Sequence, residues 1–303
     1  MSHTQVRSSD SDAFAPKITV RTLLEKKRRK HPITALTAYD YPTSRLVDEA
    51  GIDMILVGDS VGNTVLGYES TLPLTMEEML HHTRAVRRGV RHALLVADMP
   101  YGSYHVSPEE TMRNALRFVQ EAGAEAVKLE GGRSRAALVE QLTLAEIPVV
   151  GHIGLTPQSL LRMGGYRVQG RSLPEIENLL ADAAALEGAG AVALVLEGVP
   201  RELAARITAA AKIPTIGIGA GPDCDGQILV FHDLFQLTFD PAAKFVRSFG
   251  DAGSLMRNGL KQYRSAVAAR SFPADAESYH LPAEVSAEMK QSEEFADPIP
   301  LAS

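Results

Sequence analysis

Between residues 33 and 232 the chain repeats one pattern: a short run of β-branched and other apolar residues, then a longer stretch with helical spacing. The runs are Ile33–Ala38, Met54–Gly58, Ala93–Ala97, Ala126–Leu129, Pro148–His152, Ala191–Leu196, Thr215–Gly219 and Ile228–His232. Strands that alternate with helices in sequence run parallel, because each helix carries the chain back across the sheet. Several runs are almost continuously apolar, as strands are when helices cover one face and a packed interior the other. Eight units in strict alternation predict an α/β fold, a (β/α)8 TIM barrel; the competing open doubly wound sheet usually has fewer strands. Such a barrel needs roughly 250 residues. The 303 residues therefore hold a single barrel at 17–271, a flexible polar tail at 1–16 and a second tail at 272–303.

The intervening helices carry start signals. Thr75 and Glu78 form a capping box ahead of Met76–Gly89. Ser107-Pro108-Glu109-Glu110 offers an N-cap hydroxyl, a proline in the first turn and two acids at the positive end of the helix dipole. Further helices are expected at Arg45–Ala50, Arg133–Ala145, Pro174–Gly188, Arg201–Ala211 and Ala242–Ala268. The basic run Lys26-Lys27-Arg28-Arg29-Lys30 ends a helical stretch from Thr19 and reads as a solvated helix end. With a net charge of −6, the chain is not expected to have nucleic acid as its main partner. A lone cysteine, Cys224, excludes an intrachain disulfide framework and fits a reducing compartment. Neither a secretory signal nor an apolar run near the ~20 residues of a membrane span is present. The expected location is cytoplasmic, away from the membrane.

In a barrel, chemistry sits where strands end and the following loops begin. The second run ends in Asp59-Ser60, the third in Asp98, and the fourth carries Lys128 and Glu130 around Leu129. The fifth ends in Gly151-His152 and the sixth in Glu197. Singly, an aspartate after a strand is a turn or helix cap, and a lysine beside a glutamate is a structural ion pair. Jointly those readings do poorly, because capping does not require five successive strands to send ionisable groups to one rim. Three adjacent carboxylates, Asp59, Asp98 and Glu130, would repel and raise each other's pKa unless a cation joined them. All-oxygen ligands favour Mg²⁺, Mn²⁺ or Ca²⁺ over zinc. A 2-oxo acid offers such a cation its carboxylate and keto oxygens, and chelation acidifies the neighbouring C–H. Lys128 then stands near the developing oxyanion, and Glu197 is the candidate base for the C–H proton.

Other motifs carry less. Gly217-Ile218-Gly219-Ala220-Gly221 lacks a Walker Lys-Ser/Thr and is followed by Pro222, so it reads as a tight turn beside the site. His81-His82 lies within a helix, where neighbours face different ways, and makes a poor metal pair. No nucleophile elbow stands out.

At these same residues the sequence resembles the ketopantoate (3-methyl-2-oxobutanoate) hydroxymethyltransferase family. The matching segments are Thr37–Asp40, Val57–Asn63, Ala97–Ser103, Val127–Gly132, Gly151–Gln158, Gly164–Arg171, Leu196–Pro200 and Gly217–Gly221, within roughly Ile18 to Gly250. The resemblance implies a barrel of the phosphoenolpyruvate/pyruvate-domain type. It implies transfer of a hydroxymethyl group from methylenetetrahydrofolate to 3-methyl-2-oxobutanoate, giving 2-dehydropantoate on the route to pantothenate. It implies one Mg²⁺ per subunit on Asp59, Asp98 and Glu130, and substrate contacts at Asp59, Ser60, Asp98 and Lys128. Glu197 is implied as proton acceptor, and a homodecameric ring as the assembly. Tyr39 and His152 are candidates for the pocket wall. Related carbon–carbon lyases place a catalytic cysteine in the loop after the fourth strand; here that loop reads Gly131-Gly132-Arg133-Ser134-Arg135, and Cys224 is far away in sequence. A catalytically dead barrel acting as a scaffold is the other rival, and the presence of every proposed catalytic group argues against it.

Overall fold

The computed structural model describes residues 16–239 and 241–293, so all of the expected N-terminal tail except Pro16 lies outside the described residues. Eight parallel strands close into a barrel in sequence order, the first pairing with the last. They are β1 (Ile33–Thr37), β2 (Met54–Val57), β3 (Leu94–Asp98), β4 (Ala126–Glu130), β5 (Val149–Gly154), β6 (Ala193–Glu197), β7 (Thr215–Ile218) and β8 (Gly226–Leu229).

The side-chain alternation of a strand sorts these residues into two apolar layers. One set fills the interior: Ile33 and Ala35, Met54 and Leu56, Leu94 and Val96, Ala126, Val150, Ala193 and Val195, Ile216 and Ile228. The other set, including Ile55, Leu95, Val127, Val149 and Leu194, packs with residues of the surrounding helices such as Met79, Phe118, Leu142 and Leu186. Following the interior parity towards the strand ends gives Asp98 on β3, Lys128 and Glu130 on β4, His152 on β5 and Glu197 on β6. One end of the interior is thus apolar and the other ionisable.

The apolar end is closed and pinned. Ile18 and Leu23 belong to the interior cluster, Leu23 lying on the helix Val20–Arg28. The basic run expected to be solvated is partly engaged: Lys26 pairs with Asp53 at 2.5 Å and Lys27 with Asp225 at 2.6 Å. These two aspartates precede β2 and β8, and each repeats one device. Asp53 Oδ2 accepts from the Thr34 backbone N–H at 2.8 Å and hydroxyl at 3.0 Å, and Asp225 Oδ2 accepts likewise from Thr215 at 2.8 and 3.1 Å.

Departures from the sequence reading lie mainly at element ends. The eighth strand, expected at Ile228–His232, is Gly226–Leu229, and Phe231–Leu234 is a short helix. The chain can start pairing at Gly226 because a Cβ there would lie 2.5 Å from the Ile33 carbonyl oxygen. It leaves the sheet where the Thr37 hydroxyl accepts the Phe231 N–H. The expected helix Arg45–Ala50 begins earlier, at Tyr41, because Asp40 caps it and Pro42 suits its first turn.

The chain divides into two compact units between Gly250 and Asp251, ahead of the boundary at 271 drawn from composition. The second unit contains the helix Ala252–Ala268, capped by Asp251, so the helix expected from Ala242 begins ten residues later. The segment read as a loose C-terminal tail contains a helix at Ala283–Glu293.

The pins yield a stability prediction. Asp53→Ala strands the Thr34 N–H and unpairs Lys26, and should lower unfolding stability by about 2–3 kcal/mol. Urea denaturation reads the change; a loss below about 0.5 kcal/mol would mean the carboxylate is not a pin.

Candidate active site

Strand register assembles the ionisable end. Asp98 is the partner of Lys128 across β3–β4, and Glu130 that of His152 across β4–β5. Gly154 is the partner of Glu197 across β5–β6. Gly154 has φ +96°, and a Cβ there would come within 2.2 Å of the Glu197 carbonyl oxygen. A side chain at 154 would therefore force apart the two strands that carry His152 and Glu197. Asp59 follows β2, and its N–H donates to Asp98 Oδ2 at 2.9 Å.

The side chains form one chain of contacts. Lys128 Nζ meets Asp98 Oδ1 at 2.6 Å and His152 Nδ1 at 3.3 Å. His152 Nδ1 also stands 3.5 Å from Glu130 Oε1, and its Nε2 stands 3.3 Å from Glu197 Oε2. Asp59, Asp98, Lys128, Glu130 and His152 are all buried, and Glu197 is partly open to solvent. Despite these close approaches, Asp98 Oδ1, Glu130 Oε1 and His152 Nε2 have no partner of hydrogen-bond geometry. The site therefore holds charge in ion-pair contacts and leaves hydrogen-bonding capacity unspent.

Burial sets the protonation balance. It pushes the Asp59 carboxyl up to about 6, with the Glu130 charge adding to it and Lys128 opposing. It pushes Asp98 up to about 6 as well, against the pull of Lys128 and with the repulsion of Asp59. For Lys128, burial favours the neutral amine, but Asp98, Glu130 and Asp59 more than offset it and hold the ammonium. For His152, burial and Lys128 oppose a proton, while Glu130 and Glu197 favour it and carry the imidazole up to about 9. An imidazolium there points its two N–H groups towards Glu130 and Glu197, and its approach to Lys128 is then a contact without a hydrogen bond.

Every residue singled out in the sequence lies at this end. Ser60 is half-buried, and its hydroxyl shares a 2.7 Å hydrogen bond with Tyr39. Tyr39 is buried, its phenol pushed up to about 12 by that burial, and it stacks at 5.5 Å on His232. His152, expected in the pocket wall, instead stands inside the charge network. Gln158 and Tyr104 were assigned no role from sequence, yet both are buried among the carboxylates. The Gln158 side chain donates to Asp59 Oδ2 at 2.9 Å and accepts from the Tyr104 hydroxyl at 2.6 Å. The sequence signals for Gln158 were its place at the end of the matching segment Gly151–Gln158 and its position four residues after the residue paired to Glu197, in the loop leaving a site strand.

The ketopantoate hydroxymethyltransferase family profile matches residues 17–275. The chain belongs to that family. It is 65% identical over 285 residues to the 3-methyl-2-oxobutanoate hydroxymethyltransferase of Koribacter versatilis (strain Ellin345), covering 93% of this chain and 97% of the relative. It is 52% identical over 269 residues to the enzyme of that name from Syntrophomonas wolfei, covering 89% and 98%. Among solved structures, a phosphonopyruvate hydrolase complex with oxalate and Mg²⁺ matches with TM-score 0.54 at 15% identity, covering 91% of this chain and 96% of that one. A 2,3-dimethylmalate lyase of the PEP mutase/isocitrate lyase superfamily matches with TM-score 0.54 at 16% identity, covering 93% and 100%. Those two similarities establish a shared barrel fold.

The raised carboxyls predict how the metal-free family member responds to pH. A carboxyl at about 6 in the folded chain and 3.8 ordinarily binds more protons folded than unfolded across that interval. Its burden on stability is thus absent below pH 3.8 and fully present above about 6. Asp59→Asn should raise the melting temperature of EDTA-treated protein near neutral pH, and the gain should shrink as pH falls through about 6 towards 4. Calorimetry across that range checks it; a gain independent of pH, or a loss at neutral pH, contradicts the charge burden.

Proposed function

We propose that the chain is a 3-methyl-2-oxobutanoate hydroxymethyltransferase that takes its one-carbon unit from methylenetetrahydrofolate and yields 2-dehydropantoate for pantothenate synthesis. The observation that carries this reading is the buried network of Asp59, Asp98, Lys128, Glu130, His152 and Glu197 on a chain 65% identical to an enzyme of that name.

The site suits a hard divalent cation by charge and donor chemistry. Four carboxylates face one ammonium and one imidazole, and Glu130 Oε1 and Asp98 Oδ1 lack hydrogen bonds. Among the described residues no three His, Cys, Asp or Glu side chains stand close enough together to grip an ion as placed. Binding therefore requires Asp98 to turn towards an ion held by Asp59 and Glu130, with Lys128 yielding part of its hold on Asp98. Asp59, Asp98 and Glu130 would hold Mg²⁺, which supplies Lewis-acid polarisation of the 2-oxo acid.

The chain's own groups cover the rest. Glu197 accepts the C3 proton, being the carboxylate of the set most open to an incoming substrate. His152, between Glu197 and Glu130, orients both and limits the charge that builds up when the proton arrives. Lys128 offsets charge on the keto oxygen as C3 becomes nucleophilic. Water adds to the folate methylene carbon as both of its bonds to folate nitrogen break, the two nitrogens taking the water hydrogens, so that tetrahydrofolate leaves and formaldehyde remains. C3 then bonds to the formaldehyde carbon, and the oxygen takes up the proton that Glu197 had accepted. Ser60, steadied by Tyr39, and Asp98 complete the substrate contacts. Tyr39 and His232 form part of the wall. The resemblance also supports a cytoplasmic enzyme assembled as a homodecamer. Among the described residues no helix is long and apolar enough to cross a membrane.

Proton NMR of 3-methyl-2-oxobutanoate in D₂O tests the reading. With Mg²⁺, the C3 proton should exchange, exchange should stop with EDTA, and ketopantoate should appear once methylenetetrahydrofolate is added. Folded, metal-supplemented protein that gives neither exchange nor product refutes it. Glu197→Gln should slow the exchange by roughly 100-fold or more; wild-type exchange in that variant would assign the base elsewhere. Asp98→Ala should weaken metal-dependent binding of the 2-oxo acid while the barrel stays folded, and unchanged binding in calorimetry removes Asp98 from the metal site.

A further inference from the structure

Gln158, an uncharged residue, meets two of the site's carboxylates, one through its side chain and one through its backbone N–H. It lies in the 3-10 turn Pro157–Ser159 that follows β5, and it is buried. Its backbone N–H donates to Glu130 Oε2 at 3.0 Å. Its side-chain amide nitrogen donates to Asp59 Oδ2 at 2.9 Å and to the Met99 carbonyl oxygen at 3.1 Å. A carboxylate and a carbonyl can only accept, so the amide nitrogen must face Asp59 and Met99, and Oε1 must face Tyr104. The Tyr104 hydroxyl donates to that oxygen at 2.6 Å and accepts the Glu130 N–H at 3.3 Å. The nitrogen and the oxygen of the Gln158 amide are thus both engaged.

The circuit uses one oxygen of each carboxylate and spares the other. Glu130 gives Oε2 to Gln158 and keeps Oε1 without a hydrogen bond. Asp59 gives Oδ2 to Gln158, and among the described residues its Oδ1 accepts no hydrogen bond. A neutral donor that fixes two acids by one oxygen each does what an outer-shell partner does for metal ligands: it sets their rotation and leaves their free oxygens available.

We propose that Gln158, locked by the Tyr104 hydroxyl, is a positioning residue that holds Asp59 and Glu130 in the orientation that binds the divalent cation. This rests on the cation reading above and names the residue that pre-orients the site for it. Tyr104 acts through Gln158, because its hydroxyl fixes which end of the amide faces Asp59.

The test is Mn²⁺ binding, followed by electron paramagnetic resonance on the full chain without substrate. Gln158→Met keeps the shape and the backbone N–H but removes the amide, and should weaken Mn²⁺ binding by roughly 10- to 100-fold in protein that circular dichroism shows to be folded at the temperature of the measurement. Tyr104→Phe keeps the ring and should weaken it by less. The double variant should bind no more weakly than Gln158→Met alone, since both changes disable one device. Wild-type affinity in folded Gln158→Met overturns the proposal. Additive losses overturn the link to Tyr104. If Gln158→Met does not fold, Tyr104→Phe decides alone: wild-type Mn²⁺ affinity there overturns the lock. Wild-type protein that binds no Mn²⁺ overturns the cation reading itself, which separates that failure from failure of the role given to Gln158.

Discussion

Asp59, Asp98 and Glu130 lie buried at one mouth of an apolar barrel, where like charges cannot be held together without a compensating positive charge. Lys128 supplies one such charge and His152 a second, and both are drawn towards their protonated forms by the acids around them. Even so, Asp59 and Asp98 remain pushed up to about 6. Shifts of this kind cluster at functional sites, and they accord with the proposed binding of a cation and an anionic substrate. The rest of the architecture serves to keep these groups close against their repulsion.

The barrel does so through strand register. Asp98 and Lys128 sit side by side because β3 and β4 pair in that register, and the same holds for Glu130 and His152 on β4 and β5. A slip of one residue would turn Lys128 and Glu130 into the helix layer and Leu129 into the mouth. The apolar interior below opposes that slip, since Val96, Ala126 and Val150 would leave their packing together with the charges. Core packing and site geometry are thus one constraint, imposed by the two-residue alternation of the strands.

That alternation is also why much of the site was legible in the sequence. Lys128 and Glu130 flank Leu129, so they had to share a face, and the run before them identified the strand. Asp59, Asp98, His152 and Glu197 were visible as ionisable groups at the ends of apolar runs. Harder to see were features set by contacts between distant segments. Gln158 lies outside any strand, and its importance appears only when the turn after β5 folds back over Asp59 and Glu130. The end of β8 was misplaced because Ile228-Leu229-Val230-Phe231 is apolar throughout, and no local signal marks where the Thr37 hydroxyl captures the Phe231 N–H and turns the chain away. Likewise, apolar periodicity from Ala242 onward resembled one helix, while the Gly250-Asp251 pair that begins a new one is short.

Aspartates at the two ends of the barrel separate the structural meaning of an acid next to a strand from the functional one. Asp53 and Asp225 stand before their strands, and each is met by a threonine N–H, a threonine hydroxyl and a lysine. Their oxygens are supplied by fixed neighbours, which is what a cap or pin requires. Asp98 is the last residue of its strand and has only Lys128 for Oδ1, without hydrogen-bond geometry, and Glu130 Oε1 has no hydrogen bond. The same chemical group is satisfied at one end and, though more deeply buried, left under-satisfied at the other. Because an unsatisfied buried oxygen costs more than the hydrogen bond it forgoes, an arrangement serving stability alone would have closed the upper set as it closed the lower. The capping explanation therefore holds for the lower aspartates and does not account for the open oxygens of Asp98 and Glu130, which are what the proposed cation and oxo acid would use.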